Sequence, residues 1–166
     1  MKKIAFLALL LGATTGFGAM VEQDMMELRV QGRLDFDNPG GYVETDINLG
    51  LGYFIMDDLQ LGGLLAFVNE GSDAGFGLGV YSEMLFDLNY AAAPFVGGSL
   101  QFRFGEYYPD NHLMIEFNGG LKVFLTEYLA VSGMIFFDIA TDDVFINNKE
   151  AQNHDAGMRL GLNVYF

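Results

Sequence analysis

Apolar and polar residues alternate one by one along most of this chain, and the alternation is clearest in the last nine residues. In the segment 158–166 every second residue is apolar, namely Met158, Leu160, Leu162, Val164 and Phe166. The residues between them are polar, small or amphipathic. Successive side chains of a β-strand point to opposite faces, so this repeat of two predicts a strand with one apolar and one polar face.

The same alternation predicts seven more strands ahead of the last one, and no segment after Glu27 has a convincing helical period. The predicted strands are 28–36, 42–55, 59–68, 75–86, 90–104, 112–125 and 129–140. Short turns at 56–58, 87–89 and 126–128 alternate with connections that are mostly longer. An even number of strands, with short turns at one end and longer loops at the other, is typical of a transmembrane barrel. We therefore predict an all-β protein whose residues 28–166 form an eight-stranded antiparallel up-and-down transmembrane β-barrel.

The first nineteen residues predict a secretory signal peptide that is cleaved from the chain. Lys2 and Lys3 precede an apolar core at 4–11, and small residues follow through Ala19. The core is shorter than the roughly 20 residues that a membrane-spanning helix needs, although an uncleaved anchor is the alternative. Cleavage near Ala19 would leave a short N-terminal segment, 20–27, before the barrel. Because the chain has no Cys, we expect neither a lipid anchor nor a disulfide.

The charged residues predict which face of the strands lines the lumen. On the polar faces we find five cations, Arg29, Arg33, Arg103, Lys122 and Arg159, and six acids, Asp35, Glu44, Asp46, Glu83, Glu116 and Asp138. No charge falls on the apolar faces, where a Lys or Arg at mid-membrane would cost about 2–4 kcal/mol. The polar faces are therefore predicted to enclose a nearly neutral ionic network, because an unpaired buried charge is costly. In that network we expect Glu116 to pair with Arg103 or Lys122. A soluble barrel such as a lipocalin, which is the alternative, would have the reverse pattern.

Aromatic residues gather near both ends of the predicted strands, which is typical of girdles at the two membrane interfaces. Those at the end with short turns are Tyr53, Phe86, Tyr128, Tyr165 and Phe166. Those at the other end are Phe36, Tyr42, Phe76, Phe104, Tyr107 and Tyr108. The ordinary preference of aromatic residues for strands is the alternative explanation.

Three segments, 52–62, 94–100 and 123–131, give the chain a family resemblance. The last of them, VFLTEYLAV, is similar to a strand–turn–strand pattern in which an acidic residue and Asn occupy the turn, here replaced by Glu127 and Tyr128. The chain resembles the small outer-membrane β-barrels that include the OmpX and OmpA transmembrane domains. The resemblance implies a bacterial outer-membrane location, contact with membrane lipid and lipopolysaccharide, and recognition of the terminal Tyr165 and Phe166 by the barrel-assembly machinery. It implies little about activity.

The predicted outer loops are acidic, and this motivates the first hypothesis about function, a structural or surface-interaction role. Their nine acids are Asp37, Glu70, Asp73, Glu106, Asp110, Asp142, Asp143, Glu150 and Asp155. Possible partners are lipopolysaccharide, divalent cations and host surface molecules, and a monomer is expected. Asp142, Asp143, Glu150 and Asp155 are candidate oxygen ligands for Ca²⁺, with a solvated acidic loop as the alternative. The net charge of −14 argues against a nucleic-acid partner.

Two further hypotheses are a narrow channel and a lipid A-modifying enzyme. Gly77, Gly79, Gly97 and Gly120 could thin the lumen for small or hydrophobic solutes, or could instead relieve bending in a small barrel. An eight-stranded barrel is narrow enough to be filled by its own side chains. His112 and His154 are the chain's two histidines, and neither has a Ser in a plausible catalytic arrangement. We therefore predict no enzyme activity, no catalytic residue and no cofactor.

Overall fold

The computed structural model describes residues 21–35, 44–86, 91–147 and 150–166. Within these ranges, no helix has the length and apolar character that crossing a membrane would require. The predicted signal peptide at 1–19 lies outside the described residues and stays a prediction. The strands are β1 (Met26–Asp35), β2 (Glu44–Met56), β3 (Leu59–Glu70), β4 (Asp73–Leu85), β5 (Ala92–Gly105), β6 (His112–Thr126), β7 (Leu129–Ala140), β8 (Phe145–Asn147), β9 (Glu150–Gln152) and β10 (His154–Tyr165).

Eight long strands close into a barrel in the order β1-β10-β7-β6-β5-β4-β3-β2. Every neighbouring pair is antiparallel, and the last strand pairs with the first, for example Val30 with Leu162. The predicted eight-stranded antiparallel barrel is confirmed. Closure satisfies the backbone groups of both edge strands, as a barrel wall in lipid requires.

The long connection between β7 and β10 differs from the predicted loop. It contains the two-stranded sheet β8–β9, and β10 begins at His154, four residues earlier than the alternation indicated. Ala156 and Gly157 are too small to mark an apolar and a polar face, so the repeat of two is not visible there. The barrel wall therefore extends further towards the long loops than expected.

Large apolar side chains cover the outside of the barrel. Leu160 is 70% exposed, Ile135 64% and Val80 62%, although all three belong to regular strands. The alternate residues of the same strands are buried inside, including Arg159, Met134 and Tyr81. A barrel with an apolar exterior and a polar, charged interior is arranged for lipid rather than for water.

An apolar plug fills the lumen at the end with the short turns. It consists of Val21, Phe54, Leu85, Ala93, Phe95, Phe124, Ala130, Met134 and Tyr165, with Met25 packed against it. The Tyr165 ring centroid lies 5.3 Å from that of Phe124 and 6.4 Å from that of Phe54. Two backbone hydrogen bonds hold residues 21–25 across this end. Asp24 N donates to Phe54 O, and Phe54 N donates to Met25 O, each at 2.9 Å.

The position of Tyr165 corrects the sequence analysis, which placed it in the aromatic girdle. Its side chain is 1% exposed and lies inside the barrel, whereas Phe166 is 60% exposed. Tyr165 has the same parity along β10 as Arg159 and Asn163, so the strand's alternation directs it inward. The girdle prediction for this residue was therefore wrong.

Candidate functional site in the barrel lumen

Directly next to the plug, Lys122 forms the centre of a buried ionic cluster. Its Nζ lies 2.7 Å from Glu27 Oε2 and 2.5 Å from Glu83 Oε1, and all three side chains are at most 1% exposed. Arg29 Nη1 pairs with Glu83 Oε2 at 3.0 Å. Gln60 Nε2 donates to Glu27 at 2.6 Å and to Glu83 at 2.8 Å. Two cations face two carboxylates, so this inner cluster is neutral, as burial of charge requires.

Aromatic rings and a glycine complete the surroundings of the inner cluster. The Arg29 guanidinium lies 3.4 Å from the centroid of the Tyr81 ring, a cation–π contact. Lys122 Nζ lies 5.4 Å from the Phe95 ring and 5.7 Å from the Tyr165 ring, which links the cluster to the plug. Gly50 gives Arg29 its room, because a Cβ there would lie 2.6 Å from Arg29 Nε. The cluster and plug thus form one packed unit.

Glu27 is the charged member of the inner cluster that was not predicted from the sequence. It was assigned to the N-terminal segment because the apolar alternation became visible only at Leu28. In the structure β1 begins at Met26, and Glu27 faces the lumen with the same parity as Arg29. Continuing the repeat of two by one residue towards the N-terminus would have found it.

A second ionic cluster surrounds Arg159 further towards the long loops. Its Nη2 lies 3.1 Å from Asp46 Oδ2 and 3.5 Å from Asp138 Oδ2, and its Nη1 contacts Glu116 Oε2. The guanidinium carbon lies 3.9 Å from the centroid of the Phe136 ring. In this middle cluster one guanidinium contacts three carboxyl groups, so the cluster contains more acidic than basic side chains. The expected pairing of Glu116 with Arg103 or Lys122 was wrong, because Arg159 is its partner.

Two amides extend the middle cluster. Asn118 Nδ2 donates to Glu116 Oε1 at 2.7 Å, and Asn48 Nδ2 donates to Asp46 Oδ1 at 3.2 Å. Asn48 is 2% exposed. These amides satisfy the second oxygen of two of the carboxylates, and so they fix carboxylate orientation as well as charge.

Arg33 and Arg103 lie at the outer end of the lumen. Arg33 Nη1 lies 2.8 Å from Asp155 Oδ2, and the two side chains are 19% and 27% exposed. Arg103 is 2% exposed and donates through Nη1 to Tyr108 OH at 3.2 Å, but it forms no ion pair with a described carboxylate. His112, also 2% exposed, has Nδ1 3.0 Å from Asp110 O.

Several residues predicted to be functional lie outside both ionic clusters or have no described side chain. The side chains of Asp35, Glu44 and Glu150 are not described, and neither is Asp37. His154 is exposed beside Asn153, and the described hydrogen bonds of the two histidines involve Asp110 and Asn153 and no serine. The described side chains include no group of three His, Cys, Asp or Glu arranged to hold a metal ion.

The candidate Ca²⁺ site stays a prediction because one of its ligands, Glu150, has no described side chain. Of its other members, Asp155 is engaged with Arg33. Asp142 accepts a hydrogen bond from Thr141 Oγ1 at 3.0 Å, and Asp143 is exposed. A cation at this loop would therefore compete with Arg33 for the Asp155 carboxylate.

The glycines that suggested a thin lumen are closely surrounded by other atoms and do not face open space. A Cβ on Gly77 would lie 2.7 Å from Arg103 Cδ, and one on Gly79 would lie 2.8 Å from Gln101 Cγ. A Cβ on Gly97 would lie 2.9 Å from Asn118 Oδ1. Gly77 therefore makes room for Arg103, whereas Gly79 and Gly97 also lie close to backbone oxygens, those of Leu100 and Ser82.

Comparison with known proteins shows similarity in the fold. No protein-family model matches the sequence, and no curated protein matches it in sequence. Among solved structures, the chain is similar to the N-terminal β-barrel domain of Pseudomonas aeruginosa OprF, with TM-score 0.63, 16% identity and coverage of 88% of this chain and 100% of that one. For Neisserial surface protein A (NspA) the TM-score is 0.59, with 12% identity and coverage of 86% and 96%.

A structure from the de novo design of transmembrane β-barrels is also similar, with TM-score 0.58, 14% identity and coverage of 89% of this chain and 99% of that one. At these identities the likeness establishes the fold. The chain has the fold of small transmembrane β-barrels, and the resemblance noted in the sequence is confirmed at that level.

Proposed function

We propose, from the fold that this chain shares with small transmembrane β-barrels, that the protein is an integral barrel of a bacterial outer membrane with a structural or surface-interaction role. The observation that carries the proposal is a lumen occupied by the protein's own side chains. A protein whose interior is filled can act only through its outside and its loops. On this proposal it is neither a solute channel nor an enzyme.

Three layers of side chains support this reading of the lumen. The plug around Phe54, Phe124 and Tyr165 closes one end, the Lys122 cluster lies against it, and the Arg159 cluster follows. Each ionic layer is tied to several strands; Arg159, for example, joins β10 to β2, β6 and β7. Moving Arg159 would leave Asp46, Glu116 and Asp138 buried without the cation that they share, which is costly.

The charge of the described outer surface supports a role for the loops. Every described Lys and Arg lies within the lumen, and Arg33 is the most exposed of them, at 19%. In contrast, Asp73, Glu106, Asp110, Asp142 and Asp143 are exposed at the end with the long loops. A surface of carboxylates suits divalent cations, and through them the phosphates of lipopolysaccharide.

Planar-bilayer recording of the purified protein tests the filled lumen. We expect no stepwise ion current from the wild type, since the plug and both clusters occlude the path. Heat-modifiable migration on a gel would verify that the sample is folded. A stable single-channel current from folded protein would overturn the proposal in favour of a narrow channel.

Binding of lipopolysaccharide to protein in phosphatidylcholine vesicles tests the loops. We expect binding that requires Mg²⁺, is lost on adding a chelator, and is weakened by the paired change Asp142→Asn and Asp143→Asn. The matched control is Asp57→Asn, an exposed acid in the turn at the opposite end. Binding without Mg²⁺, or an equal effect of the control, would contradict the role of the loops.

A further inference from the structure

A groove crosses the apolar exterior of the barrel on the side formed by β2 to β5. It has a volume of about 400 Å³, and all residues lining it are apolar or glycine. Phe67, Phe76 and Phe104, which pair across neighbouring strands, form one row along it. The second row consists of Leu65 and Leu78, which lie two positions along their strands from Phe67 and Phe76, on the side of the short turns. The outer wall is therefore concave here.

The aromatic row is a continuous set of ring contacts. The centroids of Phe67 and Phe76 are 5.5 Å apart, and those of Phe76 and Phe104 are 6.1 Å apart. Aromatic rings whose centroids are about 4.5–7 Å apart interact favourably with one another. The row is therefore expected to keep its shape when a ligand lies against it.

We infer that this groove is a binding site for one acyl chain of a membrane lipid, in the half of the bilayer nearer the long loops. The inference rests on the proposed placement of the barrel in a membrane. The lining residues are continuous with the exposed apolar belt, including Val80 and Leu100, so whatever enters the groove comes from the hydrocarbon. A chain in the groove touches apolar groups on two sides and below, whereas a chain on a convex wall touches them on one side.

The volume of the groove distinguishes an acyl chain from a partner helix. A helix with side chains is about 10–12 Å across, so 400 Å³ would hold about 3.5–5 Å of its length, less than one turn. A single hydrocarbon chain is much narrower and can lie along the groove between the two rows. The occupant to which the geometry points is thus a lipid chain.

The opposite wall supplies a matched control. Strand β7 is four strands from β3 in either direction around the barrel. Phe67 is eight residues beyond the start of β3, and Phe137 is eight residues beyond the start of β7. Their exposed fractions are similar, 37% and 42%. Leu65 and Ile135 correspond in the same way, at six residues beyond the strand starts.

Because the chain has no Trp, a single tryptophan can report on each wall. The Phe67→Trp and Phe137→Trp variants would be placed in dioleoylphosphatidylcholine vesicles containing small fractions of phosphatidylcholines with brominated chains of several lengths. We expect the fluorescence of Phe67→Trp to be quenched severalfold more strongly at the best chain length than at the others. The quenching of Phe137→Trp should depend only on the fraction of brominated lipid and not on its chain length.

Filling the groove provides the second measurement. Adding Leu65→Phe to Phe67→Trp should abolish the chain-length preference, whereas adding Ile135→Phe should leave it intact. Equal behaviour of the two tryptophans, or a preference that persists with Leu65→Phe, would overturn the groove while leaving the membrane barrel in place. Quenching of neither tryptophan would overturn the membrane placement itself.

Discussion

The Nζ atom of Lys122 lies 2.7 Å from Glu27 Oε2, although the two residues are 95 positions apart in the chain. Both side chains are fully buried. The contact joins the first strand of the barrel to β6 through the lumen, and Glu83 on β4 completes it at 2.5 Å. The ion pairs that link β1, β4 and β6 across the lumen are thus also the ones that balance the charge of the inner cluster.

Removing the charge of Glu27 should destabilise the barrel. The Glu27→Gln substitution keeps the shape of the side chain but leaves Lys122 and Arg29 opposite Glu83 alone. Breaking a buried ion pair by removing one partner costs about 3–5 kcal/mol. We expect a loss of that order in the free energy of unfolding, measured by urea titration in lipid vesicles. Glu22→Gln, at an exposed acid on the same end of the protein, should have little effect.

A compensating substitution separates charge balance from lost contacts. In the double variant Glu27→Gln with Lys122→Met, Arg29 and Glu83 remain as a neutral pair. Its loss of stability should therefore be smaller than the sum of the two single losses. Strict additivity would mean that neutrality of the inner cluster does not determine its stability.

The two-residue repeat predicted the barrel because it determines which side chains face inward. It did not predict how the inward face changes along the barrel axis. Phe54, Phe95 and Phe124 have the same parity as the buried charges, yet they form an apolar plug at one end. Periodicity distinguishes the two faces of a strand, whereas the plug depends on the level at which each residue lies in the closed barrel.

The partners within the ionic network could not be predicted for a related reason. Glu116 was expected near Lys122 on its own strand or Arg103 on the neighbouring β5. It contacts instead Arg159 on β10, which is separated from β6 by β7. Contacts across a lumen depend on the stagger of the strands on closure. That stagger is a property of the whole sheet and is absent from the alternation of any one strand.

The fork of the Arg159 guanidinium should be essential to the middle cluster. Nη1 contacts Glu116 while Nη2 lies near Asp46 and Asp138, an arrangement that the compact ammonium of Lys cannot reproduce. We expect Arg159→Lys to lower the free energy of unfolding by about 3 kcal/mol, the lower end of buried-pair losses, because a charge remains. Arg33→Lys, at the partly exposed pair with Asp155, should change it by less than about 1 kcal/mol. Equal losses would show that the fork is unimportant.

Two glycines on neighbouring strands should respond oppositely to an added methyl group. A Cβ on Gly79 would lie 2.5 Å from Leu100 O, a backbone atom that cannot move aside, whereas one on Gly63 would meet nothing within 4 Å. Overpacking costs about 1–3 kcal/mol, so Gly79→Ala should lose about that much stability. Gly63→Ala should be neutral or slightly stabilising, because glycine weakens a strand by roughly 0.5–1 kcal/mol. Urea titration of both variants measures the difference, and similar midpoints would contradict the close approach at Gly79.

The plug and the inner cluster close the lumen in series, and one variant can separate stability from closure. Phe124 is 4% exposed within the plug, so Phe124→Ala should cost about 3–5 kcal/mol in the free energy of unfolding. Phe86→Ala is the matched control, because Phe86 is 42% exposed and near the same end of the barrel. Despite its lower stability, folded Phe124→Ala should still pass no stepwise current in a planar bilayer, since Lys122, Glu27 and Glu83 remain packed across the path. A current from Phe124→Ala but not from Phe86→Ala would mean that the plug alone closes the barrel and that the ionic cluster is open to water and ions.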